Sequence, residues 1–563
     1  MKGSNFKRVL ALAAASIVSL TMLAGCKSKP AEPTSSTTTG SQETPAVAGM
    51  QGWKPFGQKV TITVPVYDRS IQGQNPVDNN YWTKWVQKEF GDKWNVEVKY
   101  VAIPRTDVMT KYNLLIAGGQ TPTILMEYDY PKVSQWANDG AMAEINLKDF
   151  ANVAPTYYKK MVDNKQLDYT KINGKDYFVL SERPYYNVTY THVTYYRKDW
   201  LDKLGLSEPK NYAELTKAID AIKAAGLSSA PLDLSLPDAA YVGNFGYRKY
   251  PVKEDEWAMH SSLGTASLTW EPTYKLLKRQ NAEYNKGYYS PEYDLDTKGD
   301  QKKADFVNGK LFKYGNYMSA NVDWLKAFYE KNPDAKLGIL NNYNSIEPGV
   351  IDHPQIRADN PFGMIVGFSS KATKDQLKAA WMYMEWMSQK DTLFTLENGV
   401  EGKTFTKDKD GNPVIDTKYT GEEKLGNNMN IDYTCIVHAS KTLPTIEASI
   451  KAITPQGLPQ DFYQEMLDNY KELKEIADKG HAYSDPVFAV AIKSESEYNA
   501  TLLKLYKEYS VKLVKAKPAE FDALYKELSQ KYLDAGYKQI IDERLKAYKD
   551  GKTTKLPAGA AAK

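Results

Sequence analysis

The first folded signal along the chain is an alternation. Val60, Ile62 and Val64 alternate with Thr61 and Thr63, and residues 95–101 repeat that period; a period of two places apolar side chains on one face of a strand. Residues 79–90 between them read as a helix. A second helix over 106–117 stops at Gly118-Gly119, a C-terminal glycine signal, and Thr123-Ile124-Leu125-Met126 reads as a buried strand. Strand, helix, strand, helix, strand at this spacing predicts α/β units around a mostly parallel sheet.

The pattern changes over 171–180, where Asn173-Gly174 predicts a hairpin turn. A second α/β series follows, with a strand over 190–196 and a helix from Lys198 to Gly205. The next helix is well specified: Asn211 and Glu214 form a capping-box pattern, and Tyr212, Leu215, Ile219 and Ile222 share one face. Residues 311–317, after the turn Asn308-Gly309, and 362–368 read as further strands. A helix with Leu377, Trp381 and Met384 on one stripe comes after the latter. Asp410-Gly411-Asn412 marks another hairpin. From about 459 to 549 the pattern is helical, with Phe521, Tyr525, Leu528 and Tyr532 at helical spacing, and the last dozen residues are expected to fray.

The segment before this body differs in kind. Lys2, Lys7 and Arg8 precede an uncharged run from Val9 to Leu23, which ends in Leu23-Ala24-Gly25-Cys26. A basic region and a short apolar region make a secretory signal peptide, too short to span a bilayer. The four closing residues resemble the lipobox of bacterial lipoproteins. That likeness implies cleavage before Cys26, a diacylglyceryl group on its sulfur and a place on the outer face of a cell membrane. Residues 27 to about 52 are rich in Ser, Thr, Pro, Ala and Gly, too poor in apolar surface to fold, and read as a flexible tether.

Length and charge narrow the rest. At 563 residues the chain exceeds one ordinary core, so two or more lobes are expected. Its net charge is +4, and residues 1–25 hold three of the positive charges and no negative one, leaving +1 on the processed chain. So balanced a surface argues against nucleic-acid binding, which needs a basic stripe. Acylation of Cys26 would leave Cys435 alone, without a disulfide partner. The chain carries 41 Tyr and 11 Trp against 16 Phe, an excess of rings with a polar edge, which suits either a Tyr-rich core or a surface both apolar and hydrogen-bonding.

Chemical motifs are sparse. The five histidines, at 192, 260, 353, 438 and 481, lie at no metal-ligand spacing. Residues 294–299 begin like a calcium loop, but Lys298 stands at a ligand position, so a solvated loop is expected. No nucleophile elbow, phosphate loop or dinucleotide fingerprint occurs, and neither a metal nor a cofactor is expected. A glycosidase carboxylate pair cannot be judged by counting acids. The positive signal is rings at strand ends: Tyr67-Asp68-Arg69, Tyr128-Asp129-Tyr130, Phe245-Gly246-Tyr247 and the segment from Tyr314 to Trp324. Ligands of open α/β sheets bind beyond the carboxyl ends of the strands. There Tyr and Trp can stack on the C–H faces of a pyranose while Asp, Asn and Arg bond its hydroxyl rim. Core packing is the competing role for each ring. Arg69, Arg197 and Arg248 would suit a uronate or, equally, a surface ion pair.

Six further segments, in order, carry a resemblance. Residues 114–124, Leu-Leu-Ile-Ala-Gly-Gly-Gln-Thr-Pro-Thr-Ile, are similar to an ALAGGDLPDI-type segment, with Thr123 where Asp is usual. Asn173 to Tyr177 resembles N-G-K-x-Y, and Tyr196 to Gly205 resembles R-K-D-W-L-D-K-L-G almost unchanged. Residues 209–214, 306–310 and 399–402 complete the set. The chain resembles the extracellular solute-binding proteins of bacterial sugar ABC transporters, maltose-type and closest to LipO-like lipoproteins. The resemblance implies an α/β, two-lobe periplasmic-binding-protein-like fold with hinge strands and a helical C-terminal extension. Lobe 1 would hold residues 58–178 and about 358–400, and lobe 2 residues 179–357 and about 401–549. It implies a monomeric, non-enzymatic receptor that closes on a sugar or oligosaccharide and delivers it to the transporter's permease subunits. The expected ligand-contacting residues are Tyr67, Asp68, Arg69, Tyr128, Asp129, Phe245, Tyr247, Asn316, Trp324 and Glu401, with Cys26 as the lipid site. A surface-anchored glycan hydrolase or lyase and a peptide receptor are the alternatives.

Overall fold

The computed structural model describes residues 50–556 except 71–72, 184, 237–251, 263, 319–322, 341–352, 417, 427–428, 436–442, 444 and 456. Cys26, Phe245, Tyr247, Arg248 and His438 therefore lie outside the described residues. Structure begins earlier than the composition suggested. Met50, Trp53 and Phe56 already pack on the first core, with the Trp53 indole donating to the Val153 carbonyl at 3.3 Å. The packing of three apolar side chains outweighs the flexibility of the glycines around them.

The first core is organised by β1 (Val60–Asp68) and β2 (Val96–Pro104), paired in parallel with Val60 opposite Val96 and Asp68 opposite Pro104. Beside β1 lies β3 (Ile124–Glu127), tied to it by the Thr63 N–H donating to Thr123 Oγ1 at 3.1 Å. Thr123, which stands where the family segment usually has Asp, is thus a stitch between strands. The hairpin β4 (Lys171–Ile172) and β5 (Lys175–Asp176) turns at Asn173 and Gly174, whose φ values of 52° and 82° are what a tight two-residue hairpin requires. It leads into β6 (Val179–Glu182).

The chain then crosses to a second lobe. There β7 (His192–Arg197) is flanked by β8 (Lys313–Tyr317) and β9 (Leu337–Ile339), both antiparallel to it. The helix Lys198–Leu204 follows β7 and ends on Gly205 in the left-handed region. The next, Tyr212–Ala224, is capped by Asn211 accepting from the Glu214 N–H at 3.0 Å, while the Glu214 carboxylate takes the Lys210 N–H at 2.9 Å, one residue earlier than the motif anticipates. β10 (Ile356–Arg357) begins the return crossing, and β11 (Phe362–Phe368) runs between β3 and β6, antiparallel to both.

Only β1–β2 and the short pairing of β10 with β14 (Ala482–Tyr483) are parallel among the described strands, so the expectation of a mostly parallel sheet is corrected. The reason is topological. β11 enters the first sheet from the second lobe, so it must run against the strands that leave it.

The hairpin β12 (Phe405–Lys407) and β13 (Pro413–Ile415) follows the helices Lys374–Met387 and Lys390–Asn398. Residues after 400 do not pass straight to the second lobe. Val400 and Leu425 pack on the first core, and Tyr433 and Cys435 are buried inside it. The helix Met429–Thr434 packs against β1, a contact without a local sequence signature. The C-terminal helices Gln460–Asp478, Lys493–Lys515, Phe521–Tyr532 and Lys538–Lys549 cover the second lobe, with Phe521, Leu528 and Tyr532 buried as their spacing predicts.

Candidate functional site

The strand registers define one edge. β3 and β6 end where β11 begins, since Phe362 pairs with Glu182 and Ile365 with Glu127, and β1 and β2 end beside them, the Tyr67 hydroxyl near the end of β1 reaching Glu127. The crossings to the second lobe leave from this edge. In the second lobe His192 pairs with Tyr317, so the start of β7 and the end of β8 form the edge next to the same crossing. The carboxyl ends of the first sheet therefore lie at the mouth between the lobes, the usual ligand position in an open α/β sheet.

On the first edge Tyr128 is 41% exposed, a large ring left open to solvent. It stacks on Tyr67 with ring centroids 6.1 Å apart. Desolvation nonetheless drives the Tyr128 hydroxyl well above its ordinary pKa, although part of the ring is open to water. Tyr67 is fully buried and donates to Glu127 Oε2 at 2.5 Å, so it supports Tyr128 from beneath and meets no solute itself. Arg69 turns inward and donates to Asp432 at 2.5 and 3.3 Å. Burial pushes the Asp432 carboxyl up to about 6 against the pull of Arg69. Asp68 accepts the Ser70 N–H at 2.8 Å and holds Ser70 at φ 51°, the bend that folds Arg69 back. Arg105, immediately after β2, lies 4.8 Å from the Tyr67 centroid and 5.9 Å from that of Tyr128. Asp129 caps the helix Tyr130–Asn138 and pairs with Lys132 at 3.2 Å. Its carboxylate also lies against Gly264 of the second lobe, at the border of the mouth.

On the second edge Tyr317 is 40% exposed, and His192 meets it edge to face at 5.1 Å. Burial lowers the His192 pKa despite the nearby Asp359. Asn316 donates to the Tyr314 hydroxyl at 2.5 Å and accepts the Tyr317 N–H at 2.7 Å, fixing the end of β8.

Other expected residues are placed elsewhere. Trp324 is half-buried and packs edge-on against Tyr195, Phe306 and Tyr314 in the second core. Glu401 is exposed in a turn, ion-paired to Lys407 at 2.7 Å. Arg197 is buried, paired to Asp199 at 2.6 Å and laid over Trp200, which decides it as an ion pair. Sequence reasoning missed Arg105, Glu127 and Asp432. Arg105 stands directly after a strand, as Arg69 does, and that rule applied evenly would have found it; nothing local marks Asp432, 363 residues from its partner.

Asp294, in the calcium-like loop, pairs with Lys515 at 2.5 Å, and Asp296 accepts the Lys302 N–H at 2.9 Å, so protein donors take both carboxylates. Two further recesses, one lined by Lys59, Asp78, Thr83 and Lys84 and one by Glu144 to Lys148, are shallow and lie away from this edge.

Comparison with known proteins agrees with this arrangement. The chain is 22% identical over 479 residues to the polygalacturonan/rhamnogalacturonan-binding protein YtcQ of Bacillus subtilis (strain 168), covering 83% of this chain and 88% of that protein. It is 21% identical over 405 residues to lipoprotein LipO of the same organism, covering 69% and 75%. Among solved structures, the calcium-free alginate-binding protein AlgQ2 superimposes with a TM-score of 0.58 at 16% identity, covering 88% of this chain and 99% of that one. The model of the bacterial extracellular solute-binding proteins matches residues 85–396, more than half of the chain, and the protein belongs to that family.

Proposed function

We propose that this protein is the lipid-anchored receptor of an ABC importer and captures an oligosaccharide in the cleft between its lobes. The observation that carries the reading is Tyr128: an open ring, backed by Tyr67 and flanked by Arg105, at the edge where the crossings leave. A pyranose presents an apolar face to such a ring and a polar rim to the groups around it. Tyr317, Asn316 and His192 supply a second polar-aromatic edge from the other lobe. The similarity to the polygalacturonan/rhamnogalacturonan-binding protein YtcQ and to the alginate-binding protein AlgQ2 supports a saccharide cargo.

The bound solute bridges both edges only when they approach, so it favours the closed form by its differential affinity for that form. A permease that recognises the closed receptor would then receive loaded molecules selectively. Residues 1–25 would be removed as a signal peptide, Cys26 acylated, and the segment from Cys26 to about residue 49 would tether a monomeric body to the membrane.

A thermal-shift screen of the processed chain without lipid tests the cargo. At a ligand concentration about 100-fold above Kd, linkage gives roughly 2.7 kcal/mol, a rise of a few degrees. One glycan class should produce it and be recovered chemically unchanged, and Tyr128→Ala should abolish it. A glycan consumed during incubation would sink the reading. Cys26→Ala should release the protein from cells into the medium; retention at the membrane would refute the anchor.

A further inference from the structure

Resting on the reading of the cleft as a saccharide site, we infer that the solute carries a carboxylate and that Arg105 is the residue that reads it. The argument starts from which charges at the mouth are already committed. Asp432 is closed by Arg69, Glu127 Oε2 by the Tyr67 hydroxyl, Asp68 by the Ser70 N–H and Asp129 by Lys132. Each acid at this edge has a donor, and Glu127 and Asp432 are buried. The cation is in the opposite condition. Among the described residues the Arg105 guanidinium makes no hydrogen bond, and the acid paired with it, Glu127, lies at 4.0 Å. Its side chain is 42% exposed.

Arg105 is also held in place. Its backbone N–H donates to the Asp68 carbonyl at 2.7 Å, which continues the β1–β2 register by one residue. The guanidinium rests beside both stacked rings, and contact with the aromatic faces orients its fork of donors. A cation fixed on rings, next to an open ring, with its hydrogen bonds unspent is a recognition element. A carboxylate matches the fork with two parallel bonds, whereas a hydroxyl accepts one at best. A pyranuronate presents both required features from one sugar unit. Its C–H face can lie on Tyr128 while the carboxylate on C5, at the rim of the ring, reaches Arg105.

The test is isothermal titration of the processed chain with oligouronides of several sugar configurations, each beside its fully methyl-esterified form, and with neutral oligosaccharides. One oligouronide should bind on the order of tenfold to a hundredfold more tightly than its ester, the range of a charge-assisted bond. Arg105→Gln should weaken the acid far more than the ester, which loses at most the one bond its carbonyl accepts, so that the two bind nearly alike, with Arg105→Lys in between; Tyr128→Ala should weaken both forms together. A neutral glycan bound in preference to every uronide, or an acid and ester weakened alike by Arg105→Gln, would overturn the inference and leave the saccharide receptor standing. Silence toward all saccharides would overturn both.

Discussion

Arginines at two strand-end regions of this protein meet opposite fates. At the mouth of the first lobe, Arg69 and Arg105 follow β1 and β2, and one of them keeps its donors free. At the crossing, Arg183 follows β6 and Arg357 closes β10, and both are spent on carboxylates of the protein. Asp359 accepts from Arg183 at 2.7 Å and from Arg357 at 2.9 Å, and Asp485 takes the other side of Arg357 at 2.9 Å. Asp485 also accepts the Ser261 hydroxyl at 2.6 Å, and the Ser261 carbonyl accepts from Arg544 at 2.7 Å. A polar chain thus runs from the crossing into the C-terminal helices. The same residue types build a framework where every guanidinium meets a buried carboxylate and a recognition surface where that carboxylate is withheld.

The sharpest way to break this contrast is Asp359→Ala. It removes the carboxylate of Arg183 and one of the two carboxylates of Arg357, which keeps Asp485, and equilibrium denaturation should show a loss of about 2 kcal/mol, less than breaking a fully buried ion pair costs. A loss under about 1 kcal/mol would mean that the crossing is held by its backbone bonds alone.

The second test is pH. His260, buried under the C-terminal helices, shares a 2.8 Å hydrogen bond between Nδ1 and the Tyr537 hydroxyl. Burial lowers its pKa to about 4 from an ordinary 6.5, and Arg544 pushes the same way. A depressed pKa means that the unfolded chain binds the proton more readily. The histidine's contribution is therefore present above about 6.5 and is lost as pH falls through 4, by up to about 3 kcal/mol. His260→Gln should flatten that part of the stability profile. An unchanged slope would reassign it to carboxylates.

The smallest effect on folding belongs to the mouth. Tyr128→Ala removes an open ring stacked on one face only, so stability should change by less than about 1 kcal/mol even as solute binding is lost. A large loss of stability would make Tyr128 part of the core and remove the contrast.

Much of the architecture was legible because its signals are local. Alternation at 60–64 and 95–101, the Asn173-Gly174 turn, the Gly205 stop and the Asn211 cap each depend on a few consecutive residues, and each element forms where it was read. The site was legible in part. The rule that rings at strand ends approach a ligand located Tyr128, yet the neighbouring Tyr67 and the later Trp324 fill cores. Alternation assigns a face to each strand residue, but whether that face meets water depends on what packs above it.

By itself the sequence determined the α/β alternation, the two lobes and the family, since periodicity, turn chemistry and ordered motifs are properties of short segments. Tertiary structure alone decided the direction of β11, the burial of Tyr433 and Cys435 in the first core and the capture of Arg69 by Asp432. It also left Arg105 with its donors unspent. Those outcomes rest on pairs far apart in the chain, and desolvation, which settles whether a charge is spent inside or left to a ligand, exists only once the partners have met.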